Sequence, residues 1–377
     1  MTADDVCRIK KAYAVVSNYR DKLVQVFFFG HTVNLCSDDL SAGRLNTQIG
    51  TDMQKNIRAA AVQMISSTDP DANIDTMKCL VRQAAEQGAD WVLLPEYWPL
   101  MGCKDTDKLA FAEPLVGSNF SETCHTGFGE TRCARFGETR CARFGETRCA
   151  RFGETRCARF GETRYARFGE TRYARFQTTL SETAAECGVV LFGGTIPLQS
   201  PDVGKVMNTM LVYDRDGTQI GLYHKMHLFG FSGLGERYAE ADTISAGGDV
   251  PKLAADGVPL AAGVCYDLRF PEFFRAQQPF DVLLLPAAFT YTTGKAHWEL
   301  LLRARAVENQ CYVIASAQGG EHESGRRTFG HSMIIDPWGE ILDVLPEGEG
   351  IVIADLDAAR LQSVRTRLPA LQHRLLK

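Results

Sequence analysis

From residue 53 onward, short uninterrupted apolar runs alternate with stretches of helical period. Residues 57–64 (IRAAAVQM) read as a buried strand. The next segment spaces Ile74, Met77, Leu80, Val81 and Ala84 along one helical face, with Asp71 or Asn73 as its cap and Gly88 as its stop. Buried strands are expected at 91–94 and 189–192. Residues 207–213 and 219–223 form a hairpin around Asp216 and Gly217. Further strands are expected at 261–264, 282–285 and 312–315, with a hairpin turning at 337–339. A helix over 296–309 is expected to carry Leu300, Leu301, Ala304 and Val307 inward. Interleaved helices and strands argue for an α/β layered fold with one continuous core across 53–377.

Two segments break the pattern. Residues 1–52 show no clean period and no cap signal, and Met53 immediately precedes the first strand. The segment is therefore expected to be a disordered extension or an over-long start. Between 129 and 176 the octapeptide GETRCARF runs six times, with Tyr165 and Tyr173 in the last two copies where Cys133, Cys141, Cys149 and Cys157 stand in the first four. A period of eight keeps no single helical face, and solenoid units run longer. The array is expected to be a surface insertion that leads into a helix beginning near Ser181, so that deleting 129–176 leaves a folded enzyme. A zinc site there is disfavoured, because structural zinc takes close cysteine pairs.

Composition narrows the class. The 377 residues are 45% hydrophobic and 23% charged, as in an ordinary globular protein. A net charge of -5 gives no reason to expect nucleic acid or an anionic membrane as partner. No apolar stretch approaches the roughly 20 residues that span a bilayer. Of the twelve cysteines, four belong to the array and the rest lack paired spacing, as reduced thiols of a cytoplasmic enzyme would.

Three polar residues stand just past the ends of separate apolar strands: Glu96, Lys225 and Cys265. Strand ends are where α/β sheets open a crevice. Each residue alone has a bland reading, as a solvated turn, a surface cation or a buried structural thiol. Together they suit nucleophilic catalysis, since a thiol with a free pKa near 8.5 needs a base and a cation to act at neutral pH. A pairing of Cys265 with His224, His227, His297 or His331 is the alternative, but no papain-type signature accompanies it.

The segments LLPEY at 93–97, YHKMHLF at 223–229 and GVCYDLRFPE at 263–272 resemble, in order, the three signatures of the carbon-nitrogen hydrolases, the nitrilase-like superfamily. The stretches GKAHWELLLRARA at 294–306, GHSMIIDPWG at 330–339 and VRTRLPALQHR at 364–374 are similar to its Nit branch, to deaminated glutathione amidases more than omega-amidases. Nitrilases proper carry Cys-Trp-Glu where this chain has Cys265, Tyr266 and Asp267, which disfavours nitrile hydrolysis.

The resemblance implies a four-layer α-β-β-α sandwich, a homodimer or higher homo-oligomer, and no metal or organic cofactor. It implies Glu96 as base, Lys225 as cation and Cys265 as nucleophile, with the Tyr266 backbone N–H as a second oxyanion donor. It also implies a second glutamate seven residues before a glycine, which Glu240 and Gly247 fit better than Glu236 does. The implied substrate is a small 2-oxo acid amide, above all deaminated glutathione, yielding 2-oxoglutarate and cysteinylglycine. Arg269 would meet its carboxylate or, alternatively, brace the Cys265 loop. Competing readings are an omega-amidase or N-carbamoyl amide hydrolase with the same trio, and a silent member acting through the array. The array, and FGFSGLG at 229–235 in place of a Leu-Phe-Asp type of segment, bear on substrate range.

Overall fold

The structure is a computed structural model that describes residues 24–28, 31–35, 53–116, 174–233 and 236–376. Its contacts divide the chain into two units, Met1–Asp52 and Met53–Lys377. In the first unit, Val24–Phe28 pairs antiparallel with His31–Leu35, so this stretch is stranded where a patternless extension was expected.

In the second unit, two sheets stack face to face. One runs in spatial order Ile244–Ser245, Val206–Tyr213, Val190–Phe192, Trp91–Leu93, Ile57–Gln63 and Gly350–Leu356, with Ile196–Gln199 and Gln219–His224 also paired to Val206–Tyr213. The other runs Leu253–Ala255, Val258–Ala262, Val282–Ala287, Tyr312–Ala317, Ser332–Ile335 and Ile341–Leu345. Ala59, Ala61, Leu93 and Phe192 of the first meet Leu283, Val313 and Ile334 of the second in one buried cluster. Helices α1 (Pro70–Glu86) and α2 (Arg175–Cys187) cover the outer face of the first sheet through Met77, Val81, Leu180 and Ala184. Helices α3 (Pro271–Ala276) and α4 (Tyr291–Asn309) cover the second through Phe274, Trp298, Leu302 and Ala306. The result is the expected α-β-β-α sandwich. Among the described residues no helix is long and apolar enough to cross a membrane.

Three local expectations are corrected. Helix α1 is capped by Asp69, whose side chain accepts from the Asp71 N–H at 2.9 Å, and not by Asp71 or Asn73. Pro70 fits the first helical position because its missing N–H would be unpaired there anyway. Asn73 is instead buried, donating to Ser67 and Pro99 carbonyls.

Helix α4 turns largely away from the expected face, although Leu301 does pack against the core. Leu300 is 68% exposed and Val307 48%, while Trp298, Leu302, Arg305 and Ala306 are buried. Apolar residues lie all round this helix, so period alone cannot choose the inner stripe. The indole of Trp298, donating to the His331 carbonyl at 2.8 Å, and Arg305, donating to the Leu268 carbonyl at 2.7 Å, decide it.

Helix α2 begins at Arg175, six residues before Ser181, and so takes in the end of the last repeat. Phe176 is 2% exposed, its ring edge-on to Trp98 at 5.9 Å, and its N–H donates to Glu113 at 2.5 Å. Arg175 pairs with Asp71. A deletion through Phe176 would therefore cut into the core, and the surface reading of the array fails at its last two residues. The repeats up to Tyr173 lie outside the described residues.

Candidate active site

Each of the three strand-end residues arrives on its own loop, and each loop is held by identifiable contacts. Glu96 follows Trp91–Leu93 through Leu94 and Pro95. Gly194, at φ 54, lies so close beneath that loop that a Cβ would sit 2.1 Å from the Pro95 carbonyl oxygen. Thr195 accepts from the Tyr97 N–H at 3.0 Å, and Gln318 donates to the Glu96 carbonyl at 3.0 Å. Lys225 follows Gln219–His224, and its backbone bonds Asn208 on one side and Gly247 on the other. A Cβ on Gly247 would fall 2.2 Å from the His224 oxygen. That close approach is the physical content of a glycine seven residues after Glu240.

Cys265 follows Val258–Ala262 and opens a short 3-10 turn, Cys265–Arg269, at φ 50. A left-handed conformation at a non-glycine residue costs on the order of 1–3 kcal/mol and persists only where its surroundings impose it. Here the buried Asp267 imposes it. One carboxylate oxygen accepts from the Val264 N–H and the Tyr223 hydroxyl, each at 2.7 Å. The other accepts from the His227 N–H at 3.0 Å and from the His227 ring at 2.7 Å. Asp267 thereby ties the nucleophile turn to the lysine loop.

The side chains converge. Lys225 is fully buried and its Nζ lies 2.9 Å from Glu96 Oε1, and 2.7 and 3.0 Å from the two oxygens of Glu240. Glu96 also accepts from Asn208 Nδ2 and from the Ala288 N–H, each at 2.9 Å. Glu240 accepts from the Tyr97 hydroxyl at 2.9 Å and the Phe229 N–H at 2.7 Å. Cys265, 8% exposed, lines an open cleft with Glu240, Tyr266, Arg269, Phe289 and Arg326. Glu240, Tyr266 and Arg269 line this cleft together with Cys265, and Glu236 has no described side chain.

The electrostatics follow from this packing. Burial pushes the Cys265 thiol well above its usual range, the Glu96 charge adds to the push, and Lys225 opposes it. Burial alone would pull the Lys225 ammonium down, but Glu240, Glu96 and Cys265 outweigh it and the net direction is up. Burial would raise the Glu240 carboxyl, yet Lys225 and the hydrogen bonds carry it below its usual range. The packing therefore favours the neutral form of the Cys265 thiol and the charged form of the Lys225 ammonium.

Among the described residues no histidine lines the cleft. His227 is stacked on Phe270 at 3.8 Å and bonded to Asp267, and His331 is stacked on Phe329 at 3.9 Å and bonded to its carbonyl. His224 bonds Thr209, and His297 faces Arg269 at 3.3 Å. Asn208, Tyr97, Asp267 and Arg326 were missed from sequence. Asn208 had a signal, being with Thr209 one of two polar residues in an otherwise apolar strand, and Tyr97 and Asp267 sit inside the quoted motifs. Arg326, on a loop far along the chain, had none. Among the described residues no cluster of histidine, cysteine and carboxylates is arranged to hold a metal ion.

Residues 58–366 match the carbon-nitrogen hydrolase family. A deaminated glutathione amidase of Synechocystis is 36% identical over 323 residues, covering 84% of this chain and 97% of that protein. An omega-amidase of Danio rerio is 39% identical over 198 residues, covering 52% and 71%. The crystal structure of Saccharomyces cerevisiae Nit3, a member of branch 10 of the nitrilase superfamily, superposes with a TM-score of 0.63 at 26% identity, covering 85% of this chain and 97% of that one.

Proposed function

The chain belongs to the carbon-nitrogen hydrolase family and hydrolyses non-peptide amide bonds, and within that chemistry we propose a thioester mechanism run by Cys265, Glu96 and Lys225. The observation that carries the proposal is the buried Lys225 ammonium, bridged between Glu96 and Glu240 beside the cleft that Cys265 lines. Cys265 Sγ attacks the amide carbonyl carbon as Glu96 accepts the thiol proton. The carbonyl electron pair moves to oxygen, where the Lys225 ammonium and the Tyr266 backbone N–H stabilise it. The oxyanion then collapses, the carbon–nitrogen bond breaks, and Glu96 returns its proton to the departing amine. Water attacks the remaining thioester, Glu96 takes its proton, the carbon–sulfur bond breaks, and the thiol is restored as the acid leaves. Glu240 orients Lys225 and balances its charge throughout.

The substrate we propose is a small 2-oxo acid amide, deaminated glutathione first, which would be released as 2-oxoglutarate and cysteinylglycine. Similarity to the Synechocystis amidase across 84% of the chain supports it, as does the Arg269 guanidinium in the cleft. The Danio relative keeps an omega-amidase reading in play. Mass spectrometry of the denatured protein after seconds of incubation with a panel of amides tests the mechanism and ranks substrates. Acyl adducts on Cys265 are expected from deaminated glutathione above the omega-amides. A panel with no adduct on Cys265 sinks the thioester mechanism.

The proposal includes a homo-oligomer in the cytoplasm. Cys79, Cys103, Cys187, Cys265 and Cys311 are all free thiols, as suits a reducing compartment. The outward face of α4 presents Leu300 and Val307 along a groove that also carries Lys295, Glu299 and Arg303. Both signs of charge around an apolar strip suit a two-fold contact with a second copy, in which the same patch meets itself. Leu300→Glu is expected to move the protein from dimer to monomer in sedimentation velocity, and a sedimentation coefficient equal to the parent's would remove this face from consideration.

A further inference from the structure

Arg326 lines the same cleft as Cys265 and Arg269, and its charge is unanswered. Arg58, Arg215, Arg327, Arg360 and Arg365 each sit against a carboxylate. Among the described residues no ion pair includes Arg326. Its Nη2 donates to the Ala288 carbonyl at 3.0 Å, and its Nη1 reaches Met101 Sδ at 3.9 Å, which is a weak acceptor. The guanidinium carbon stands 5.4 Å from the centre of the Tyr238 ring. Nε is closed to solvent and has no acceptor. The carboxylate that shares the cleft, Glu240, is already taken by Lys225, Tyr97 and the Phe229 N–H.

A guanidinium that lines a cleft without a carboxylate partner points to a ligand that supplies one. Guanidinium prefers a planar partner that can take two parallel bonds, which a carboxylate is and a neutral amide is not. We infer that Arg326 receives the carboxylate on the acyl part of the bound amide and is a specificity-determining residue for anionic substrates. The inference rests on the amidase reading of the same cleft and narrows its substrate class. Arg269 appears in no ion pair among the described residues either, its Nη1 facing the His297 ring at 3.3 Å. Two guanidinium groups without carboxylate partners in one cleft suit an amide that carries two carboxylates better than one that carries a single carboxylate.

Arg326 also touches the carbonyl of Ala288, whose N–H donates to Glu96, so loss of turnover alone would not separate recognition from positioning of the base. Affinity for the acyl product does. Calorimetric titration of 2-oxoglutarate into the parent, Arg326→Met and Arg326→Lys proteins is the test. Arg326→Met is expected to bind roughly 10- to 100-fold more weakly, the scale of a charge-assisted hydrogen bond, with Arg326→Lys between. Parent-like affinity in Arg326→Met overturns the inference, whatever happens to turnover. Should Arg326→Met melt early, Arg326→Lys decides, since it keeps the stem and the charge but not the planar fork. A loss of about threefold or more in that variant supports the inference, and parent-like affinity overturns it. The amidase reading is judged separately, by the Cys265 adducts, and its failure leaves the titration result standing on its own.

Discussion

Cys265→Ala is expected to lose turnover by about 10⁴-fold or more on every amide the parent hydrolyses, the scale seen when a nucleophile is removed from a preorganised site. The Sγ atom is a small part of the buried cluster, and the turn around it is held by Asp267 and not by sulfur. The substitution should therefore leave the fold intact, with melting temperature within a few degrees of the parent's. The variant should still bind substrate while failing to form the acyl adduct. Steady-state rates and circular dichroism on the same preparation check both halves. Parent-like turnover would end the assignment of Cys265 as nucleophile.

Glu96→Gln is expected to lower kcat by roughly 10²–10⁴-fold, because an amide cannot accept the thiol proton. The need for a base is acute here, since burial and the Glu96 charge push the Cys265 thiol well above its usual range. The substitution also disturbs hydrogen bonding. Glu96 Oε1 accepts from Lys225 and Asn208 while Oε2 accepts from the Ala288 N–H. A glutamine must turn its NH₂ toward one of these donors, leaving that donor unpaired at a cost of about 1–3 kcal/mol. Lys225 keeps Glu240, so the ammonium remains charged and the site does not lose both its anions. Single-turnover acylation, followed by adduct mass, separates loss of the base from loss of substrate binding. A fall of less than about tenfold in the acylation rate would mean that another group deprotonates Cys265.

The residues of the proposed site were legible in the sequence because they lie in contiguous motifs at strand ends. A catalytic side chain must leave a rigid strand and enter a turn, so an apolar run followed by Glu96, Lys225 or Cys265 carries the signal within a few residues. Glu240 was named only through the family resemblance, by its distance to Gly247, whose lack of a side chain lets it pass under the His224 carbonyl. The layered α/β class followed from period alone, since runs such as 282–285 are too apolar for a solvated strand and too short for a buried helix.

What required the tertiary structure was whatever depends on a choice between equivalent local options or on a partner distant in the chain. The face of α4 that turns inward was open because apolar residues surround the helix, and contacts from Trp298 to His331 and from Arg305 to Leu268 closed the choice. The start of α2 was hidden because Phe176 is identical to five other phenylalanines in the repeats. Only its seat against Trp98, with Glu113 holding the backbone, sets it apart. Arg326 carries no local signature, and its place near Cys265 comes from the loop after Tyr312–Ala317 folding back over the ends of the sheets. Periodicity and motif report on neighbours along the chain, where geometry is fixed by the backbone. Which of several acceptable faces, caps or cations is used is a difference in packing free energy between whole arrangements, and that difference exists only once distant segments meet.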